Sequence, residues 1–378
     1  MDVLYMVRME GVCMTEIEKA RELFVSCRLK EAKPLLEELA GAGDSDALYM
    51  LAMMTYDVDI AIELLAKSAA KGNAGAKLMR LALMADASEE TIAEAEKSII
   101  PEIEKGAEED PVLADALGTF YLVYGKKREG WTEKGMALLF MAEQKEYWKA
   151  SIHLGSAFNE LRENPLGDAD RFNPGEAIIH FSFAAVKGAP EAEYFMGFLV
   201  YRGLGTKQDQ KAAIQLWKKA AASGYMTAAL TLGFVLSFSK NEKEKKDGFK
   251  YTKMAAESGD PTAEGNLANC YYYGTGTRKD RRLARLYYKK AAEKGMESSA
   301  MQLGVMYHED GKDDKAFEIF RKSAENGYPA SMGWMAACYE NGYGTERNRE
   351  MAKFWLTRAA DLGDEDAKKA LSIISGNG

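Results

Sequence analysis

Residues 190–224 read PEAEYFMGFLVYRGLGTKQDQKAAIQLWKKAAASG, and the way this stretch divides decides the fold. Its second half sets Ala213, Leu216, Trp217, Ala220 and Ala221 at i, i+3, i+4, i+7 and i+8, one apolar stripe of a helix. Its first half, Pro190–Arg202, is helical by composition and opens on a proline, which suits a first helical turn. Between them lies Gly203-Leu204-Gly205-Thr206-Lys207-Gln208-Asp209, where glycines supply the positive φ that reverses the chain. Asp209 is placed to cap the second helix, and Gly224 to close it. The stretch predicts helix A over 190–202 and helix B over 210–223.

The unit recurs. A pair of small residues, then two further residues and a glycine, ends at Gly188, Gly224, Gly259, Gly295, Gly327 and Gly363, at spacings of 36, 35, 36, 32 and 36 residues. Ser68-Ala69 leading to Gly72 repeats it upstream. About eight residues after most of these glycines comes a large residue followed by a small one: Met196-Gly197, Leu232-Gly233, Leu267-Ala268, Leu303-Gly304 and Met335-Ala336. Leu154-Gly155, Leu117-Gly118 and Leu51-Ala52 extend that signature toward the N-terminus. The small member lets two helices approach closely and the large one fills the seam. The glycine turn returns at Gly274–Asp280 and at Gly342–Asn348, with Asn348 as the cap. A period of this kind is the mark of a stacked repeat array.

With those residues aligned, the pattern resembles the Sel-1-like repeat family, a relative of the tetratricopeptide repeats. Ala192–Gly224 and Ala263–Gly295 fit nearly throughout and Ser331–Gly363 fits well. The resemblance spans 147–363 and, more faintly, 44–72. It implies an all-α, right-handed α-α superhelix of about ten helix pairs ending in a cap helix. Three units depart from it: 226–259 replaces the glycine turn with Ser239–Asp247, 297–327 shortens it to Asp310–Asp313, and 147–188 inserts Arg162–Asn173. Lys30–Ala40 reads as helix B of a degenerate first unit, in which Pro34 is tolerable only close to the helix start. Ala367, Ala370, Leu371 and Ile374 share the face of a closing helix. The expected organisation is an N-terminal extension over 1–14, degenerate pairs over 15–145, Sel-1-like repeats over 146–363 and a cap helix with tail over 364–378, with 15–375 one continuous solenoid.

Bulk properties narrow the function. Lys+Arg 50 against Asp+Glu 58 gives a net charge of −8, which argues against nucleic acid as partner. No apolar stretch approaches the roughly 18 residues of a membrane span. Cys13, Cys27, Cys270 and Cys338 form no CxxC and read as reduced thiols, so a cytoplasmic location is expected. His153, His180 and His308 are too dispersed to suggest a metal, and no cofactor motif is present.

The chemical motifs test poorly. Ser-x-x-Lys, found in penicillin-recognising enzymes, occurs at Ser68–Lys71 and Ser237–Lys240, without companion motifs. Ser68 occupies a slot that holds alanine in other units, so it reads as a packing position. The G-x-G turns follow helices rather than strands and lack a third glycine, which excludes phosphate loops. Asp168–Asn173 only faintly echoes a calcium loop, and Asn173–Glu176 reads better as a capping box. A basic cluster over Lys240–Lys253 and Arg278–Lys290 is interleaved with Glu242, Glu244 and Asp280, as on a solvated face.

The resemblance implies that each helix A lines a concave groove. Groove positions then lie two before, two after and five after the large residue of the Leu-Gly signature. They select Tyr49 and Tyr56, then Tyr194, Phe198 and Tyr201, then Phe234 and Tyr272. The expected function is a non-enzymatic scaffold or adaptor for a protein or peptide, with self-assembly into a homo-oligomer and a penicillin-type enzyme as alternatives.

Overall fold

The computed structural model describes residues 14–159 and 172–376, with side chains through 372. The described residues contain helices and turns and no strand. The chain divides into two compact units between Tyr225 and Met226.

The first unit runs α1 (Glu16–Val25), α2 (Leu29–Gly41), α3 (Ser45–Met54), α4 (Val58–Ala70) and α5 (Ala74–Met84). It continues with α6 (Glu89–Glu94), a π-turn over Ala95–Ile99, α7 (Ile100–Ala107), α8 (Pro111–Val123) and α9 (Trp131–Gln144). It closes with α10 (Trp148–Ala157), α11 (Pro174–Val186), α12 (Pro190–Arg202) and α13 (Gln210–Ala222). The second unit runs α14 (Met226–Ser237), α15 (Glu242–Glu257), α16 (Pro261–Tyr273), α17 (Arg281–Glu293) and α18 (Glu297–Glu309). It ends with α19 (Asp313–Glu325), α20 (Pro329–Asn341), α21 (Arg349–Asp361) and α22 (Glu365–Gly376). These are ten antiparallel pairs and a final single helix, the fold class that the repeat implies.

The quoted stretch folds as its residues require. Helix α12 starts at Pro190, and Gly203 ends it at φ 70°. Asp209 then accepts a hydrogen bond from the Ala212 N–H at 2.9 Å, fixing the start of α13. Gly197 is where the pair closes: a Cβ there would lie 2.5 Å from Trp217 Nε1. That indole, 1% exposed, donates to the Tyr194 carbonyl at 3.0 Å, so the bulky residue of helix B locks onto the backbone of helix A. Gly205 sits against the Pro174 and Gly175 backbone at the start of α11, where no side chain fits, and this contact stacks one pair on the next.

Two local readings need amendment. Pro34 lies well inside α2, which begins at Leu29, so the helix tolerates the loss of one backbone donor beyond its first turn. At α11 the Asn173 side chain accepts from the Glu176 N–H at 3.3 Å, the first half of the expected capping box. Residues 73–145 continue the helix-pair rhythm, with α5 against α6–α7 and α8 against α9. On α22, Ala367 is buried and Ala370 and Leu371 pack beside it, while Ile374 lies outside the described side chains. Residues 1–13 of the expected N-terminal extension (1–14) and most of the insertion, including Asp168–Arg171, lie outside the described residues.

Candidate functional site

The first unit curls around its own first helix. Thr15 and Glu18 form a reciprocal capping box that starts α1 at Glu16. Phe24, fully buried, places its ring 5.8 Å from Tyr147 and 6.0 Å from Trp148, at the start of α10. Its carbonyl accepts from Trp148 Nε1 at 2.9 Å. One turn earlier Arg21 pairs with Asp110, the cap of α8, and reaches Asp46 on α3 at 3.8 Å. Helix α1 therefore ties together the N-terminal ends of α3, α8 and α10.

The same curl brings α3 and α5 to face α10 and α12 across a pocket of about 170 Å³. Met53, Met79 and Leu83 supply an apolar side, and Lys149, His153 and Glu191 a polar one. The rings of Tyr56 and Tyr225 meet edge to face at 4.8 Å beside it. Lys149 pairs with Glu191 at 2.8 Å, both side chains largely buried. His153 Nδ1 lies 2.7 Å from Asp115 Oδ1 and 3.0 Å from Thr119 Oγ1. Asp115 is wholly buried, with its second carboxylate oxygen unpartnered. Tyr49 and Tyr147 bury their hydroxyls nearby; burial first and the Asp115 carboxylate second push both phenols well above their ordinary range.

The sequence-derived groove residues fall in different settings. Tyr49 is 3% exposed, so its hydroxyl is closed off rather than presented to a groove. Tyr56 is exposed at the pocket rim, its hydroxyl pushed up by burial and by Glu191 beyond it. In α12, Tyr194, Phe198 and Tyr201 are half-buried. Tyr194 packs 5.1 Å from Tyr225, Phe198 lies under Arg202, and Tyr201 lies 5.2 Å from Trp217. In the second unit Phe234 is 57% exposed and pairs with the exposed Phe238 at 5.0 Å. Tyr272 is half-buried, donates to Glu309 and carries Arg281 over its ring at 5.9 Å. Tyr194 and Tyr56 thus meet the same ring, Tyr225, while Phe234 and Tyr272 belong to the other unit.

The sequence reading singled out none of Asp115, Thr119 and Lys149, and took His153 only as one of three dispersed histidines. The signal was present: both pairs are spaced i, i+4 on otherwise apolar helices, and the groove rule applied to Leu117-Gly118 selects Asp115 and Thr119. Other motifs resolve simply. Ser68 is fully buried and donates to the Ser45 carbonyl at 2.7 Å, a packing position. Within the basic cluster Lys245 pairs with Glu242, Arg281 with Glu309 and Asp310, and Arg285 with Asp310. Among the described residues no group of three or more His, Cys, Asp or Glu is gathered as a metal site, and no helix is long and apolar enough to cross a membrane.

Comparison with known proteins places these features in a family. The Sel1 repeat profile matches residues 45–73, 190–225, 239–260, 261–296, 298–328 and 329–364, leaving the α10–α11 pair outside the matched stretches. The chain is 25% identical over 315 residues to the chitin synthase regulator SKT5 of Saccharomyces cerevisiae, covering 68% of this chain and 45% of that protein. It is 25% identical over 201 residues to chitin synthase regulatory factor 3 of Schizosaccharomyces pombe, covering 52% of this chain and 19% of that one. The rat DAP3-binding cell death enhancer 1 is 29% identical over 212 residues, covering 44% and 42% respectively. The chain spans less than half the length of these relatives. Among solved structures, a protective antigen with an SLR fold from uropathogenic Escherichia coli has a TM-score of 0.60 at 22% identity, covering 95% of this chain and 79% of its own. A Sel1 repeat protein from Oxalobacter formigenes gives 0.51 at 24% identity, covering 64% and 96%. The recurring glycine turn, the helix pairs locked through small residues, and the profile over half the chain agree: this protein belongs to the Sel1 repeat family.

Proposed function

We propose that the protein is an adaptor that binds another protein or a peptide segment along the faces of its A helices, and that it carries out no catalysis. The observation that carries this reading is the contrast between the two helices of a pair. Helix α13 commits Ala213, Trp217, Ala220 and Ala221 to the core, whereas α12 leaves Tyr194, Phe198 and Tyr201 half-exposed. Aromatic side chains held at a surface on rigid helices are efficient binding anchors, because they bring large area at small entropic cost. Relatives named as a regulator and as a binding protein support the same role. Cys27, Cys270 and Cys338 are unpaired, which fits the reducing cytoplasm as its location.

The test is capture of partners from source lysate by wild type and by a Tyr194→Ala, Phe198→Ala, Tyr201→Ala variant shown by circular dichroism to be folded. A prey held by wild type and lost by the variant supports the reading; equal capture by both removes α12 from it. Exposed Ile179, Phe183 and Val186 on α11 favour a second reading, self-association through that helix. Light scattering across concentration, with Phe183→Ser beside wild type, separates it from a monomeric adaptor.

A further inference from the structure

We propose that the pocket between α3, α5, α10 and α12 is an anchor site for a basic side chain, lysine or arginine, of the bound partner. That the partner is a protein rests on the adaptor reading above; the chemistry of the pocket is argued independently of it.

The charges on the page set the preference. Lys149 and Glu191 satisfy each other at 2.8 Å and contribute no net charge. The Asp115 carboxylate is wholly buried, and its contact at 2.7 Å is Nδ1 of His153. His153 lines the pocket, and its Nδ1 is engaged by Asp115 and Thr119. One oxygen of the Asp115 carboxylate has no partner, so a buried carboxylate stands behind the His153 side of the pocket and favours a cation there.

The remaining lining suits the rest of a long basic side chain. Met53, Met79 and Leu83 form a surface for an aliphatic stem. The rings of Tyr56 and Tyr225 stand beside it, and an aromatic face attracts an ammonium or guanidinium group. An apolar side chain would fill the stem region and leave the buried carboxylate uncompensated. An acidic one would be repelled by Asp115. The chain's net charge of −8 favours basic partner segments in the same direction.

The chain has three histidines, so imidazole resonances in NMR report the site directly, the His153 signal being assigned from a His153→Gln variant. The probe is acetyl-arginine methylamide added to the full chain, with acetyl-citrulline methylamide as the uncharged match. The arginine probe is expected to shift the His153 signal saturably, leaving His180 and His308 in place, with citrulline weaker by about tenfold or more. Asp115→Asn is expected to weaken arginine binding by about the same factor. Tyr56→Leu, at an exposed ring whose loss leaves the core intact, should weaken it as well and serves if Asp115→Asn does not fold. Equal shifts with arginine and citrulline, or equal movement of all three histidines, overturn the proposal. Arginine binding at His153 without any captured partner sinks the adaptor reading and leaves the pocket standing. Partner capture without arginine binding sinks the pocket alone.

Discussion

Trp148 donates its indole N–H to the carbonyl oxygen of Phe24 at 2.9 Å, a bond between residues 124 positions apart. It ties the first helix of the chain to the tenth, so α1 is part of the framework of its unit and not a loose end.

Replacing Trp148 with phenylalanine keeps most of the buried ring but leaves the Phe24 carbonyl without its donor. The expected cost is about 1–3 kcal/mol, since a buried polar group loses its partner. Amide exchange should rise first in residues 16–25, ahead of α12 and α13. Uniform loss of protection across the unit would show that α1 does not open separately.

The helix-pair seam gives a matched pair of glycine substitutions. Gly197→Ala forces a Cβ to within 2.5 Å of Trp217 and should destabilise by about 1–3 kcal/mol through overpacking. Gly333, in the middle of α20, has open space around it, and Gly333→Ala should stabilise by about 0.5–1 kcal/mol. Urea denaturation of both variants checks this; equal effects would remove the steric reason for the small residue at the seam.

How much of this was readable in advance follows from which residues obey a local rule. Helix α12 and the start of α13 were legible to the residue, because Pro190, Gly203 and Asp209 act on backbone groups only a few positions away. Pro34 misled, since helix α2 starts a turn and a half before it and tertiary packing tolerates the missing donor. The pocket was not legible. Asp115 and His153 lie 38 positions apart, and Tyr56 reaches Tyr225 only because the unit curls, a property of summed packing angles that no short motif encodes. Tyr49 shows the same limit: its helical phase suggests a surface, yet it is 3% exposed, with Gly75 of α5 against its ring and Asp115 and Arg21 near its hydroxyl.

The second unit should show one acid-sensitive contact. The Tyr272 hydroxyl and the Arg281 guanidinium hold the Glu309 carboxyl below the usual carboxylate range. A carboxyl depressed on folding contributes stability above its unfolded value and loses it as pH falls through the folded one. Glu309→Gln should therefore lower the thermal midpoint at pH 7, by an amount worth about 0.2–1 kcal/mol for a partly exposed pair. The gap should close as pH drops through the carboxylate range. A gap unchanged by acid would contradict the assignment.

Burial pushes the Cys27 thiol up to about 12, and Cys270 and Cys338 to about 11. In a Cys13→Ser background a disulfide reagent at neutral pH should find no fast thiol in the native protein and three after denaturation. A fast native thiol would show that one of these sites opens readily.

The most direct test of the adaptor reading is amide exchange on a complex with a captured partner. Binding along the A helices predicts protection concentrated on α12, around Tyr194, Phe198 and Tyr201, with α11 and α13 unchanged. Protection confined to α11 and α13, with α12 exchanging as in the free protein, would contradict it.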